Sequence, residues 1–160
     1  AGLTQAALRH YFPTRHDLLT AFFLSATTWF HDEVESMLES PAAAPGREQL
    51  ERCVAWHLEY MEQVDAVVWL ESSAFWLRNP DAHRLRDNFY TWLTGRYATL
   101  IRQACPHLPA AEVERRALAV LTMVLGCWIT HGRGSAVAGN IPTRERREYL
   151  VGRIIHIATG

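Results

Sequence analysis

Ala1-Gly2-Leu3-Thr4-Gln5-Ala6-Ala7-Leu8-Arg9-His10-Tyr11-Phe12, followed by Pro13-Thr14-Arg15-His16-Asp17-Leu18-Leu19, reads as a tight turn, a short helix, a stop and the opening of a second helix. Gly2 suits a turn that needs φ > 0, and Thr4 is an N-cap whose hydroxyl can satisfy an orphan N–H. The helix predicted from Thr4 to Tyr11 turns Ala7, Leu8 and Tyr11 inwards and Gln5, Ala6, Arg9 and His10 outwards. Pro13 ends it. Thr14-Arg15-His16-Asp17 then forms a capping box, with Asp in the usual Glu position, at the head of a longer helix. Residues 1–16 hold Arg9 and Arg15 and no acid, whereas 17–40 hold Asp17, Asp32, Glu33, Glu35 and Glu39 and no Lys or Arg. The basic end is therefore the one suited to a polyanion.

The run from Gly2 to Leu19 resembles the recognition-helix signature of TetR-type transcriptional regulators, commonly G-V-S-x-x-x-L-Y-x-H-F-x-[ST]-K-[ED]-x-L. Thr4 stands for the Ser, Leu8 and Phe12 keep their types, and Arg15 replaces the Lys. Arg9 and Tyr11 occupy the places of the pattern's Tyr and His, which leaves Tyr11 as the aromatic for the phosphate contact. The resemblance implies a double-stranded DNA operator. Gln5, Arg9 and His10, with Ala6 on the same face, would meet base edges, while Thr4, Tyr11 and Arg15 hold phosphates. It also implies a homodimer with two such helices about 34–36 Å apart, and two basic amphipathic helices preceding Ala1.

Composition is compatible with this. A chain of 160 residues can bury about 70% of its unfolded surface. With 49% hydrophobic and 21% charged residues it has the balance of a soluble globular protein, and no apolar run reaches membrane-spanning length. The net charge of −1 leaves room for a small basic head cancelled by an acidic remainder. Cys53, Cys105 and Cys127 are odd in number and widely spaced, so neither a disulfide framework nor a zinc knuckle is implied, and a reducing cytoplasm fits. No His has Glu three residues earlier, as a bundle di-iron site would want, and no nucleophile elbow or phosphate loop occurs. The sequence points to no enzyme, metal or cofactor.

Helical periodicity continues to the C-terminus, so the fold class expected is all-α: a partial helix-turn-helix in residues 1–14, a connecting helix in 15–39, and a ligand-binding and dimerisation domain in 40–160. The connecting helix closes at Ser40-Pro41 before the loop 42–46. Arg47 to Val64 is the next helix. Val67 to Arg78 follows, apolar nearly all round and hence predicted to be buried, ended by Asn79-Pro80. Asp81 is the expected N-cap of a helix broken by Pro106; Ala110 to His131 is the most apolar helix; and Thr143 is the expected cap of a last helix reaching Ala158. Those last two helices are apolar over most of their circumference. Leu118, Leu121, Met123, Leu125 and Gly126, with Leu150, Gly152, Ile154 and Ile157, are the candidates for a dimer interface, the two glycines permitting close approach.

The central helices carry Trp56, Tyr60, Trp69, Trp76, Phe89, Trp92 and Trp128, interleaved with His57, Met61, Ser72, Ser73 and His131. A Trp N–H needs a partner when buried, so this set suits a cavity wall with a few orienting polar groups, although a plain aromatic core accounts for any one ring. Trp69-Leu70-Glu71-Ser72-Ser73-Ala74-Phe75-Trp76-Leu77-Arg78-Asn79-Pro80, with Tyr90-x-Trp92 after it, also resembles the ligand domain of BetI-like regulators. The implied effector is a small molecule, either flat aromatic, lipophilic or a quaternary ammonium held by cation–π attraction with Glu71 as countercharge. The second reading of the whole chain is a helical small-molecule-binding or interaction protein with no DNA role.

Overall fold

Helix boundaries follow local chemistry. A computed structural model describes residues 5–39, 46–135, 137 and 139–160, with the side chains of Gln5, Ala6, Leu8, Ala66, Val68 and Trp69 outside that description. The expected turn at Gly2, the cap at Thr4 and the loop at 40–45 also lie outside the described residues. Among those described are α1 (Gln5–Tyr11), α2 (Arg15–Glu39), α3 (Arg47–Gln63), α4 (Ala66–Arg78), α5 (Pro80–Ala104), α6 (Ala110–Thr130) and α7 (Thr143–Thr159), with no strand beyond a lone bridge between Asp65 and Arg133. The fold is all-α, as the periodicity predicts.

The chain divides into two compact units, Ala1–Met37 and Leu38–Gly160. The first holds α1 and nearly all of α2. In the second, α3, α5, α6 and α7 form the bundle: α5 packs along α6, α3 against α7, α6 against α7, and α4 lies on α5. Leu50, Cys53, Val54, Leu58 and Met61 of α3 recur at three- and four-residue steps and are all buried. With Leu93, Tyr97 and Ile101 of α5, Val113, Ala117, Val120 and Val124 of α6, and Ile154, Ile155 and Ala158 of α7 they make up the buried core. Gly46 caps α3 at φ 89°, where a Cβ would stand 3.2 Å from the Gln103 carbonyl oxygen, so both its conformation and the approach of α5 require glycine.

Three local expectations are corrected. Asn79, not Asp81, caps α5: its side chain accepts from the Asp81 and Ala82 N–H groups, and Pro80 takes the first helical position, where its missing N–H goes unneeded. Thr143 is the first residue of α7 behind Pro142 and makes no capping bond. α4 is not enclosed. Val67, Leu70 and Leu77 face solvent, and only Ser72 and Trp76 of its described side chains are buried, because α4 presents a single face to α5.

Candidate functional site

At the basic end, Arg9 and His10 occupy the last turn of α1, both exposed, where positive charge also complements the helix dipole. Tyr11, predicted to turn inwards, is 71% exposed, its ring edge-to-face on His10 at 5.3 Å rather than in a core. The capping box forms as read: the Asp17 carboxylate accepts from the Thr14 N–H at 3.0 Å and hydroxyl at 2.7 Å, and the Thr14 hydroxyl accepts from the Asp17 N–H at 3.1 Å. These bonds hold the Asp17 carboxyl below its ordinary range, so a negative charge already sits at the N-terminus of α2. The exposed Arg15 stands beside that charge.

In the second unit the expected aromatic residues gather in two groups. Trp56 stacks on Tyr60 at 5.8 Å and 11°, and Tyr60 meets Trp128 edge-on at 5.8 Å. Beneath them lie the buried Met61 and His57, the latter with its Nδ1 2.6 Å from the Tyr97 hydroxyl. The other group surrounds Tyr90, a residue outside the expected ligand set. Trp76 meets Tyr90 edge-on at 6.4 Å, and Phe89 lies 5.6 Å from Tyr90 and 5.8 Å from Trp92. Ser72 is buried on the same helix as Trp76, Ser73 is half-buried, and Glu71 is exposed, away from the countercharge role expected of it. The side chain of Trp69 lies outside the described residues.

His131 belongs to neither group. Both of its ring nitrogens are taken by protein partners, Glu62 and Arg146, so it is a structural residue and not the orienting group expected of it. Glu62 carried no motif or periodic signal, since it meets His131 across 69 positions of sequence.

Electrostatically the unit is quiet. Burial drives the His57 pKa down to about 3 against a hydrogen bond to the Cys53 backbone, and pushes the Tyr60, Tyr90 and Tyr97 hydroxyls up. Burial also raises the Cys127 thiol to about 11, which keeps it protonated and unreactive at neutral pH. Among the described residues no three His, Cys, Asp or Glu side chains are grouped to hold a metal ion.

Two open grooves flank the bundle. One, of about 750 Å³, runs between α5 and α6 past Tyr90, Thr94, Gly95, Arg102, Glu114 and Leu118. The other, of about 340 Å³, lies between α3 and α7 over Arg47, Ala55, Val151 and Gly152. Neither is lined by an aromatic residue of the expected ligand set.

The expected interface residues separate by face. On α6, Leu118 and Gly126 are exposed and Leu125 half-buried, in one stripe with Thr122 and Ile129. Leu121 is buried at its margin, and Met123 is half-buried well off it. On α7, Gly152 and Ile157 are exposed and Leu150 half-buried, but Ile154 is fully buried in its own bundle, since it points the opposite way from the solvent face of Tyr149, Arg153 and His156. For Gly126 and Gly152 an added Cβ would meet nothing within 4 Å, so packing inside the protomer does not call for glycine at either.

The sequence model of the family described as BetI-type transcriptional repressor, C-terminal, matches residues 32–156. The chain belongs to that family and is a transcriptional regulator of the TetR type with a BetI-like ligand domain. Searches of the curated proteins and of the solved structures find no match.

Proposed function

We propose that the chain is a ligand-responsive repressor: a homodimer that reads an operator through α1 and leaves it when a small-molecule effector binds among the aromatic residues. The observation that carries this is an acid-free α1 whose Arg9, His10 and Tyr11 are exposed ahead of a capped helix, in a chain whose residues 32–156 match the repressor family. Gln5, Arg9 and His10 are assigned to base edges, with Ala6 beside them, and Thr4, Tyr11 and Arg15 to phosphates. For the effector, the group of Trp76, Phe89 and Trp92 around Tyr90 is favoured, with Ser72 and Ser73 as orienting hydroxyls. Its rings are of the kind that a flat apolar or quaternary ammonium ligand would stack on. Trp56, Tyr60 and Trp128, with His57 and Met61, form the second candidate wall. Residues 15–39 connect the reading helix to the ligand domain, and an effector that fits one conformation better shifts the population away from the DNA-competent one.

Gel-shift titration of the full gene product tests the reading. Arg9→Ala is expected to weaken operator binding by about 1–3 kcal/mol and to relax preference at one base pair. Unchanged affinity and preference remove Arg9 from the reading set. Trp76→Phe is expected to leave operator affinity intact while weakening release by a cognate effector; an unaltered release curve moves the pocket elsewhere.

A further inference from the structure

The ends of α3, α6 and α7 meet around one imidazole. The His131 side chain, just past the last turn of α6, is wholly shut off from solvent. Its Nδ1 accepts the Arg146 Nε–H at 2.8 Å, which fixes the ring in the neutral form protonated at Nε2, and that N–H donates to Glu62 Oε1 at 2.8 Å. Glu62 Oε2 accepts from Arg147 at 3.0 Å, and Arg147 lies 3.7 Å from Glu59. The chain leaving α6 is tied at the same place, the Arg133 N–H donating to the Met61 carbonyl at 3.2 Å beside the Asp65–Arg133 bridge. Four side chains from two helices, Glu59 and Glu62 of α3 and Arg146 and Arg147 of α7, thus gather at a ring with one acceptor and one donor, both used.

We propose that His131 is a proton-operated latch: neutral, it fastens the first turns of α7 and the turn after α6 to the C-terminal end of α3; protonated, it releases them. An imidazolium carries N–H groups on both nitrogens, so its Nδ1–H would face the Arg146 Nε–H, donor against donor, and the guanidinium must leave. The charged groups facing the ring are Glu62 from α3 and Arg146 and Arg147 from α7, with Glu59, Asp65 and Arg133 beside them. Burial, with the two guanidiniums, opposes the imidazolium more than Glu62 favours it, and the ring's pKa lies below its ordinary value. The fastened state therefore holds fewer protons than the released one. The latch is fully closed above the ordinary histidine range and weakens as pH falls, the opening constant growing about tenfold per pH unit until the fastened ring itself titrates. Ile154 and Ile155 anchor the middle of α7 in the core, so release is confined to its N-terminal turns.

Hydrogen exchange between pH 7.5 and pH 5, corrected for the intrinsic rate, tests the latch. Protection of the amides of residues 146–150 is expected to fall as pH drops below the ordinary histidine range, by up to about tenfold per pH unit, while that of 154–158 changes less. His131→Gln, which offers an acceptor and a donor that do not titrate, is expected to remove the difference between the two segments. A flat wild-type profile, or the same loss in His131→Gln, overturns the proposal. If that variant does not fold, the ring ¹⁵N shifts of the wild-type chain decide: His131 titrating in step with the 146–150 amides supports the latch, and titrating independently of them overturns it.

Discussion

Acidification from pH 7.5 to pH 4.5 is expected to remove about 2–3 kcal/mol of folding free energy through His57 alone. The ring is 2% exposed, enclosed by the α3 and α5 core with Tyr97 at 2.6 Å, and burial holds its pKa near 3, against 6.5 for an ordinary histidine. Between those values the unfolded chain takes up a proton that the folded chain refuses, and each pH unit so crossed costs about 1.4 kcal/mol. The contribution is wholly present above about pH 6.5, runs down through two units by pH 4.5, and is exhausted near pH 3. Denaturant titration at fixed protein concentration checks it, with His57→Gln as the comparison. The variant is less stable at pH 7.5, because it disturbs the Tyr97 contact, but loses about 2–3 kcal/mol less on acidification. Asp17, Asp87 and Glu112, whose carboxyls are depressed by hydrogen bonds to Thr14, Arg86 and Arg116 respectively, and the depressed His131 also lose stability as pH falls, but equally in both proteins. An equal loss in the two proteins means that His57 is protonated in the fold, and the account of the core fails.

What the amino-acid order made legible was whatever is decided within one or two turns. Thr14 and Asp17 announce their capping box at a spacing of three, and α2 begins just after the Pro13 that stops α1. Leu50, Val54, Leu58 and Met61 name the buried face of α3 from their spacing alone. Asn79-Pro80 reads in sequence as a stop, yet the same pair caps the next helix with Pro in its first position. Choices between distant partners were not legible. α4 is apolar almost all round, and nothing in its own residues says that α5 covers one face only. Ile154 and Ile157 look alike in sequence, yet one is core and the other faces solvent. His131 looked like a ligand group until Glu62, Arg146 and Arg147 took its surroundings.

Leu118→Arg is expected to turn the proposed homodimer into a monomer, raising its dissociation constant by at least about 10³-fold in sedimentation equilibrium. In the protomer Leu118 is 59% exposed and Ile129 56%, and with the exposed Thr122 and Gly126 and the half-buried Leu125 they make a stripe along α6. In the proposed homodimer a two-fold axis would present that stripe to its own copy, so one substitution would put two guanidiniums into the interface without carboxylates to meet them, at several kcal/mol each. The fold is spared, because a change on a solvent-facing helix position stays within about 0.5 kcal/mol. Leu77→Arg is the control: at 71% exposed on α4 it removes as much apolar surface but leaves association unchanged. Gly126→Ala sharpens the contrast, since its Cβ meets nothing within 4 Å. Helix propensity then raises protomer stability by about 1 kcal/mol, while the added methyl holds the partner helix away and weakens the dimer. Opposite signs for folding and association in one variant separate an interface glycine from a merely tolerated one. A Leu118→Arg chain that still sediments as a dimer places the two-fold on another face, and the α5/α6 groove beside Leu118 becomes the next surface to change.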